Sequence, residues 1–402
     1  MIRRIFGDDI DPALRTVLAT VVLGVVGQYA FFSFFAIWAL DELHAPQAEV
    51  GLAYAGSALA AALGAILGGR LSDRFGRRPL IVAATVVQTL APALLLGPEL
   101  GRLPAFGVLV VMGFVQPFRG TSQRALIGDL TPEEHQERAY GAFRVAFNIG
   151  ATTGPLLASA LVALDWTALH LGVSAAYALS LLPALKLPAP ARSAAADAGT
   201  VSLRSLFADR AFALLFVAGI LAYGVYNAYE VLMPVSLTQA HSFSAALWGI
   251  VSVANPVLVI LFQMRLTRWT AGIGFAPKLC LAVPLMGLPF LVLTLTAAVP
   301  VVLLVIAAFV VGEMLWAPAS EAIVARMAPP GLLGAYLGTA TAGTWVGSSL
   351  TPVAGLQTRA AFGDGAMWVL VAGASVVGGF LYLRALGSRR SSQESGAVLA
   401  AD

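Results

Sequence analysis

Twelve long apolar runs leave this chain few ways to fold. They fall at roughly 15–40, 48–69, 79–97, 104–128, 138–163 and 166–187, then at roughly 211–236, 244–264, 277–298, 300–326, 333–357 and 366–386. Each offers close to the 20 or so residues that a helix needs to cross a bilayer. In hydrocarbon every backbone N–H and carbonyl must be satisfied within its own segment, so each run is expected to be a helix. Only 11% of the 402 residues are charged, against the ~25% usual for a soluble domain. The predicted architecture is therefore an all-α polytopic membrane protein with twelve transmembrane helices.

Two bundles are expected, at 1–187 and 209–387, joined by a linker at 188–208 rich in Ala, Ser and Pro. A short surface helix is expected near Leu203 to Asp209, and a disordered tail over 388–402. The first residues carry Arg3 and Arg4 but also Asp8, Asp9 and Asp11, with no cleavage-site pattern, so the first span is expected to be retained. If both termini share one side, 19 of the 24 Lys and Arg residues lie there. Only Arg102 and Arg359 lie opposite, and Arg119, Arg124 and Arg144 fall inside spans. That bias predicts cytoplasmic termini and the cytoplasmic (inner) membrane. Cys280 is the single cysteine, which rules out an internal disulfide or a multi-cysteine metal site.

The two halves echo each other. Tyr29 and Phe32 answer to Tyr226 and Tyr229, and Arg70-Leu71-Ser72 answers to Arg265-Leu266-Thr267. Ala139-Tyr140-Gly141 answers to Ala335-Tyr336-Leu337-Gly338, and Gly150 with Pro155 answers to Gly347 with Pro352. All four matches lie at offsets of 195–197 residues. Six spans separate the copies, so they share one orientation and form a parallel repeat of two pseudo-twofold-related six-helix bundles. Transporters built this way place their site near the bilayer midplane, between the repeats.

The connection Gly69-Arg70-Leu71-Ser72-Asp73-Arg74-Phe75-Gly76-Arg77-Arg78 holds four arginines and one acid in ten residues. Such a charge knot cannot lie in hydrocarbon, so it must be a tight turn between the second and third spans. Gly69 and Gly76 suit close approach and unusual backbone angles. The order resembles the G-x-L-x-D-R-x-G-R-R signature of the major facilitator superfamily. That resemblance implies the fold, and a latch in which the aspartate meets the start of helix 11. Carried over, the latch would comprise Gly69, Asp73, Arg74, Gly76, Arg77 and Arg78, with Asp129 from the helix 4–5 region. The copy in the second half lacks both the Gly and the Asp, so any latch is one-sided.

Helix 5 contains Gly150, Gly154 and Pro155, small residues four apart that let helices pack tightly. The trio also resembles the core of the helix 5 antiporter motif, which implies export. Leu156 and Leu157 depart from that motif. The R-x-x-Q-G pattern of helix 4 is absent, so no proton-coupling role passes to Arg119. Beyond these motifs, the wording around Gly312-Glu313-Met314 and Ala335-Tyr336 resembles bacterial twelve-helix drug–proton antiporters.

Two acids lie well inside spans, Glu230 and Glu313. Intramembrane ionisable groups mark ion or substrate paths by default, and a carboxyl in so apolar a place can load and release a proton. A carboxylate permanently paired with arginine is the alternative. At the repeat offset Gln116 answers Glu313 and Arg124 answers Glu321; the second pair reads as an ion pair or gate. Arg144 and Asn148 share a face of helix 5; Arg144 either serves the site or snorkels to headgroups. Gln28, Tyr29, Phe32, Tyr226, Asn227 and Tyr229 read as a substrate-cavity wall, suited to a lipophilic cation beside an acid.

These readings converge on a secondary active transporter, not an enzyme, that exports small lipophilic molecules, with cations the favoured class, in exchange for protons. A specific metabolite such as a sugar or lipid headgroup, exported or moved with protons, is the alternative; a membrane enzyme or receptor is the remote one. The expected partners are the substrate, protons and the lipid bilayer. With no Walker loop and no basic stripe, ATP and nucleic acid are not expected. The proton gradient replaces a cofactor, no metal is expected, and a monomer suffices.

Overall fold

The computed structural model of the chain describes residues 11–96, 101–188, 203–241 and 243–399. Among them every regular element is a helix. Helix α1 spans Pro12–Asp41, α2 Gln47–Phe75, α3 Arg77–Ala93, α4 Arg102–Leu130, α5 Gln136–Val162 and α6 Trp166–Ala184. A six-residue helix, Leu203–Ala208, stands where a short surface helix was expected. Then come α7 at Arg210–Ala240, α8 in two pieces at Ala245–Ser252 and Ala254–Trp269, α9 at Phe275–Gly287 and α10 at Val299–Met327. The tract Leu333–Leu399 is broken at Gly363, which has φ 86° and ψ 174°, so it holds α11 before the break and α12 after it.

Among the described residues, eleven stretches are long and apolar enough to cross a membrane. The last, Leu333–Gly387, is 55 residues long and contains both α11 and α12, which brings the spans to twelve. The helical tract runs on to Leu399, over residues expected to be a disordered tail; no proline lies between Gly387 and Leu399 to stop it. Most of the expected linker, residues 189–202, lies outside the described residues.

Short polar caps set the helix starts. The Asp11 carboxylate accepts from the Ala13 N–H at 2.6 Å with Pro12 at the first helical position. Asp209 caps α7 in the same way, accepting from Ala211 and Phe212 at 2.9 and 3.4 Å. The first helix of each half therefore begins on a capping aspartate, a further trace of the repeat.

By packing, the chain divides into two compact units. One holds α1–α6 and the start of α11, Ala328–Ala342; the other holds α7–α10 and the chain from Gly343 onward. The first turns of α11 group with the first unit, although the sequence assigns that whole helix to the second bundle. In the first unit α1 buries Phe31, Phe35 and Trp38 against Leu169, Val173 and Tyr177 of α6. Helix α5 closes on α1 where a Cβ on Gly150 would fall 2.7 Å from Val25 Cβ, and one on Gly154 2.7 Å from the Val26 carbonyl. The helix 5 glycines thus serve packing directly. In the second unit Phe290 packs between Phe309 and Trp368 with tilted rings, at ring distances of 5.7 and 4.9 Å. At the Gly363 break, Asp364 pairs with Arg359 and accepts from Ser236, which ties the α11–α12 turn to α7.

Gly76 both ends α2 and begins α3, with φ 93° and ψ 157° and its N–H on the Ser72 carbonyl at 3.0 Å. That backbone region is essentially reserved for glycine. Gly76→Ala is expected to destabilise the fold by about 1–3 kcal/mol, read as a lower thermal unfolding midpoint of the purified protein.

Candidate functional site

The first cluster begins at the turn just described. The Asp73 carboxylate accepts from the backbone N–H groups of Gly334 and Ala335, at 2.8 and 2.7 Å. Those are donors of the first turn of α11, which no helical carbonyl can satisfy, so a carboxylate there is favoured by both hydrogen bonding and the helix dipole. Arg77 reaches the same carboxylate at 2.5 Å, Asp129 at 2.9 Å and the Ser72 hydroxyl at 3.1 Å. The side chains of Asp73 and Arg77 are only 8% and 7% exposed, whereas Asp129 is 42% exposed, so the inner pair carries the stronger interaction. Glycine makes the approach possible: a Cβ on Gly69 would fall 2.1 Å from the Gly334 carbonyl, and one on Gly338 2.4 Å from the Ala65 carbonyl. Arg74 stands outside the cluster, exposed, with its guanidinium 5.3 Å over the Phe75 ring, and Arg78 is half-buried on α3.

The second cluster lies in the other unit. Glu313 on α10 is fully buried, and Asn255 Nδ2 donates to its Oε2 at 2.8 Å. Helix α8 is broken beside Asn255. Pro256 has no N–H for the Ser252 carbonyl one turn back. The Tyr229 hydroxyl from α7 donates to that carbonyl instead, at 3.2 Å. The Tyr229 ring stacks on Phe309 at 4.6 Å and meets Trp248 at 5.7 Å. Tyr226, which meets Phe309 at 5.9 Å, donates its hydroxyl to Glu230 at 3.2 Å. Glu230 is exposed, whereas Glu313 is fully buried. Asn227, on the same helix, is buried. Among the described residues no group of three or more His, Cys, Asp or Glu could hold a metal ion.

The first unit gathers the remaining expected residues. Gln116 on α4 donates to Gln28 on α1 at 3.1 Å, and Arg119 donates to the same Gln28 oxygen at 3.3 Å. Tyr29 meets Phe147 edge-on at 5.8 Å, and Arg144 lies over Phe147 at the same distance. Asn148 turns back to donate to the Arg144 carbonyl at 2.9 Å. Phe32 packs edge-on against Phe31 at 5.3 Å, at the margin of the apolar core. Arg124 donates to the Thr341 hydroxyl at 3.1 Å and lies over Phe143, whereas Glu321 is half-buried on α10 of the second unit.

The family model of the Major Facilitator Superfamily matches residues 17–352. This chain belongs to the major facilitator superfamily. It is a multi-pass membrane transporter rather than an enzyme. A Na(+), Li(+), K(+)/H(+) antiporter of Planococcus maritimus is 23% identical over 79% of this chain and 83% of its own length. The multidrug resistance protein MdtH of Aeromonas hydrophila is 25% identical over 83% of this chain and 84% of its own. Among solved structures, a bacterial homologue of the iron transporter ferroportin in its outward-facing state superposes with a TM-score of 0.75 at 15% identity. It covers 94% of this chain and all of that one, a likeness of fold.

Three parts of these clusters escaped the sequence reading. Asn255 as the partner of Glu313 was signalled only by an Asn-Pro pair inside an apolar run. Gly334 and Gly338 were signalled by their four-residue spacing. Arg119 was set aside because its motif was wrong. Asp73→Asn removes the charge that holds the first turn of α11. Amide exchange at Gly334 and Ala335 should quicken by roughly tenfold or more, since a hydrogen bond to a charged group is worth about 1.5–3 kcal/mol. Tyr229→Phe leaves the Ser252 carbonyl unserved and should destabilise the protein by about 1–3 kcal/mol, seen as a lower unfolding midpoint.

Proposed function

We propose that the protein is a proton-coupled exporter of small lipophilic cations that works by alternating access. It would sit in the cytoplasmic (inner) membrane with both termini in the cytoplasm, the side favoured by the basic residues. The observation that carries this reading is the pairing of an enclosed acid with an open one along a single aromatic wall. Glu313 is fully buried and positioned by Asn255, and Glu230 is exposed beside Tyr226. In this reading Glu313 carries the proton. Glu230 with the faces of Tyr226, Tyr229 and Phe309 receives the cation, since aromatic faces attract cations most where water is scarce.

The Asp73–Arg77–Asp129 cluster would act as the one-sided latch, because Asp73 holds the first turn of α11 through two N–H groups while paired with Arg77. Breaking and remaking those contacts would accompany the change of access. The relatives named multidrug resistance proteins and a cation/H(+) antiporter are consistent with this reading. The driving force is adequate: each pH unit across the membrane is worth about 1.4 kcal/mol per proton, enough to hold a tenfold substrate gradient.

The test is transport in vesicles of the purified protein under an imposed pH gradient. A lipophilic cationic dye should accumulate against its gradient, and Glu313→Gln should reduce that accumulation at least tenfold while dye binding persists. Movement of a neutral sugar or of sodium with no movement of the dye would replace this reading with a metabolite or an alkali-cation carrier.

A further inference from the structure

We propose that Arg119 is the centre of a buried site, within the first unit, for a small monovalent anion of the halide class. Arg119 sits on α4 and is 1% exposed. Its Nε donates to Gln88 Oε1 on α3 at 3.0 Å, and its Nη2 donates to the Gly24 carbonyl on α1 at 3.2 Å and to Gln28 Oε1 at 3.3 Å. Every one of these acceptors is neutral. Among the described residues no carboxylate pairs with this guanidinium; Asp73 and Asp129 are taken by Arg77, and Glu49 by Arg102. A buried charge without a counter-charge is the least favourable polar group a protein can enclose.

Donors are also left over around it. Arg119 Nη1, Gln88 Nε2 and the Tyr177 hydroxyl from α6 are buried with no hydrogen-bond partner among the described residues. Gln88 and Tyr177 are fully buried, Gln88 is bonded to Arg119, and the Tyr177 ring lies 5.7 Å from the guanidinium. Surplus donors beside a fixed positive charge repel a cation. A water would accept from them but leave the charge unbalanced, whereas an anion answers both needs.

The guanidinium and the Tyr177 ring lie against α1 where side chains are missing: a Cβ on Gly24 would fall 1.8 Å from Arg119 Nη1, and one on Gly27 2.9 Å from the Tyr177 ring. Donors enclosed between packed helices favour a monatomic anion over a polyatomic one. The second unit supplies an internal contrast. The repeat offset takes Arg119 to Trp316, whose neutral Nε1–H donates to the Tyr382 hydroxyl at 3.0 Å. The charged arrangement, and with it the need for an anion, belongs to the first unit.

The experiment uses the purified full-length protein in detergent with gluconate as the only anion, replaced stepwise by chloride or bromide at constant ionic strength. The thermal unfolding midpoint should rise and saturate with either halide, and stay flat with sulfate. Arg119→Gln should abolish the rise. Tyr177→Phe should raise the half-saturating concentration by roughly tenfold or more, the loss of one hydrogen bond to a charged ligand. Gly24→Ala, which keeps the charge but fills its seat, should abolish the saturable rise too, and stands in if Arg119→Gln does not fold. No difference between halide and gluconate in the wild type, or an equal rise in the variants, would mean an adventitious ion only and overturn the site.

Discussion

A buried backbone N–H or carbonyl must find a partner, and this one constraint shapes two departures from regular helix in the protein. Where Pro256 withdraws an N–H from α8, the Tyr229 hydroxyl crosses from α7 to serve the Ser252 carbonyl. Where α11 begins, the Asp73 carboxylate serves two N–H groups that no turn precedes. Both repairs are made by side chains from another helix, so each fixes two helices together as well as satisfying a backbone group. The functional candidates gather at these repairs because an irregular backbone is tolerated only where something polar stands ready to meet it.

Charge inside the units is handled in three ways. Asp73 and Arg77 neutralise each other and share the task of holding α11. Glu313 is held by an amide, Asn255, which can orient a carboxylate without cancelling its charge. Arg119 faces neutral acceptors and an aromatic ring. In the proposed reading the first arrangement is the clamp and the second carries the proton.

Much of this was legible in the sequence, and the boundary has a physical cause. Hydropathy and charge are properties of segments, so the twelve spans, the α2–α3 turn and the isolated acids could be read directly. Asp73, Arg77 and Asp129 could be grouped because their order matched a known signature. The Asn255–Glu313 bond, the Gly69–Gly334 approach and the seat of Arg119 on Gly24 join residues far apart in the chain, and no local pattern encodes them. Helix 1 shows the same limit: Phe31, Phe35 and Trp38 fall on one face, and that face fills the core of the first unit. A stripe shows which residues share a face, not whether that face meets substrate or another helix.

The glycines connect these points. Small residues in membrane helices are usually credited with letting backbones approach, as Gly150 and Gly154 do between α5 and α1. Gly24 and Gly334 do something further. A Cβ on Gly334 would crowd Asp73 Oδ1 at 2.7 Å and Arg77 Nη1 at 2.8 Å, just as one on Gly24 would crowd Arg119. In both places a charged group lies against bare backbone, where peptide N–H and carbonyl groups supply the polarity that water would supply outside. Removing a side chain therefore does electrostatic work here: it lets a helix backbone solvate an ion that packing has cut off from water.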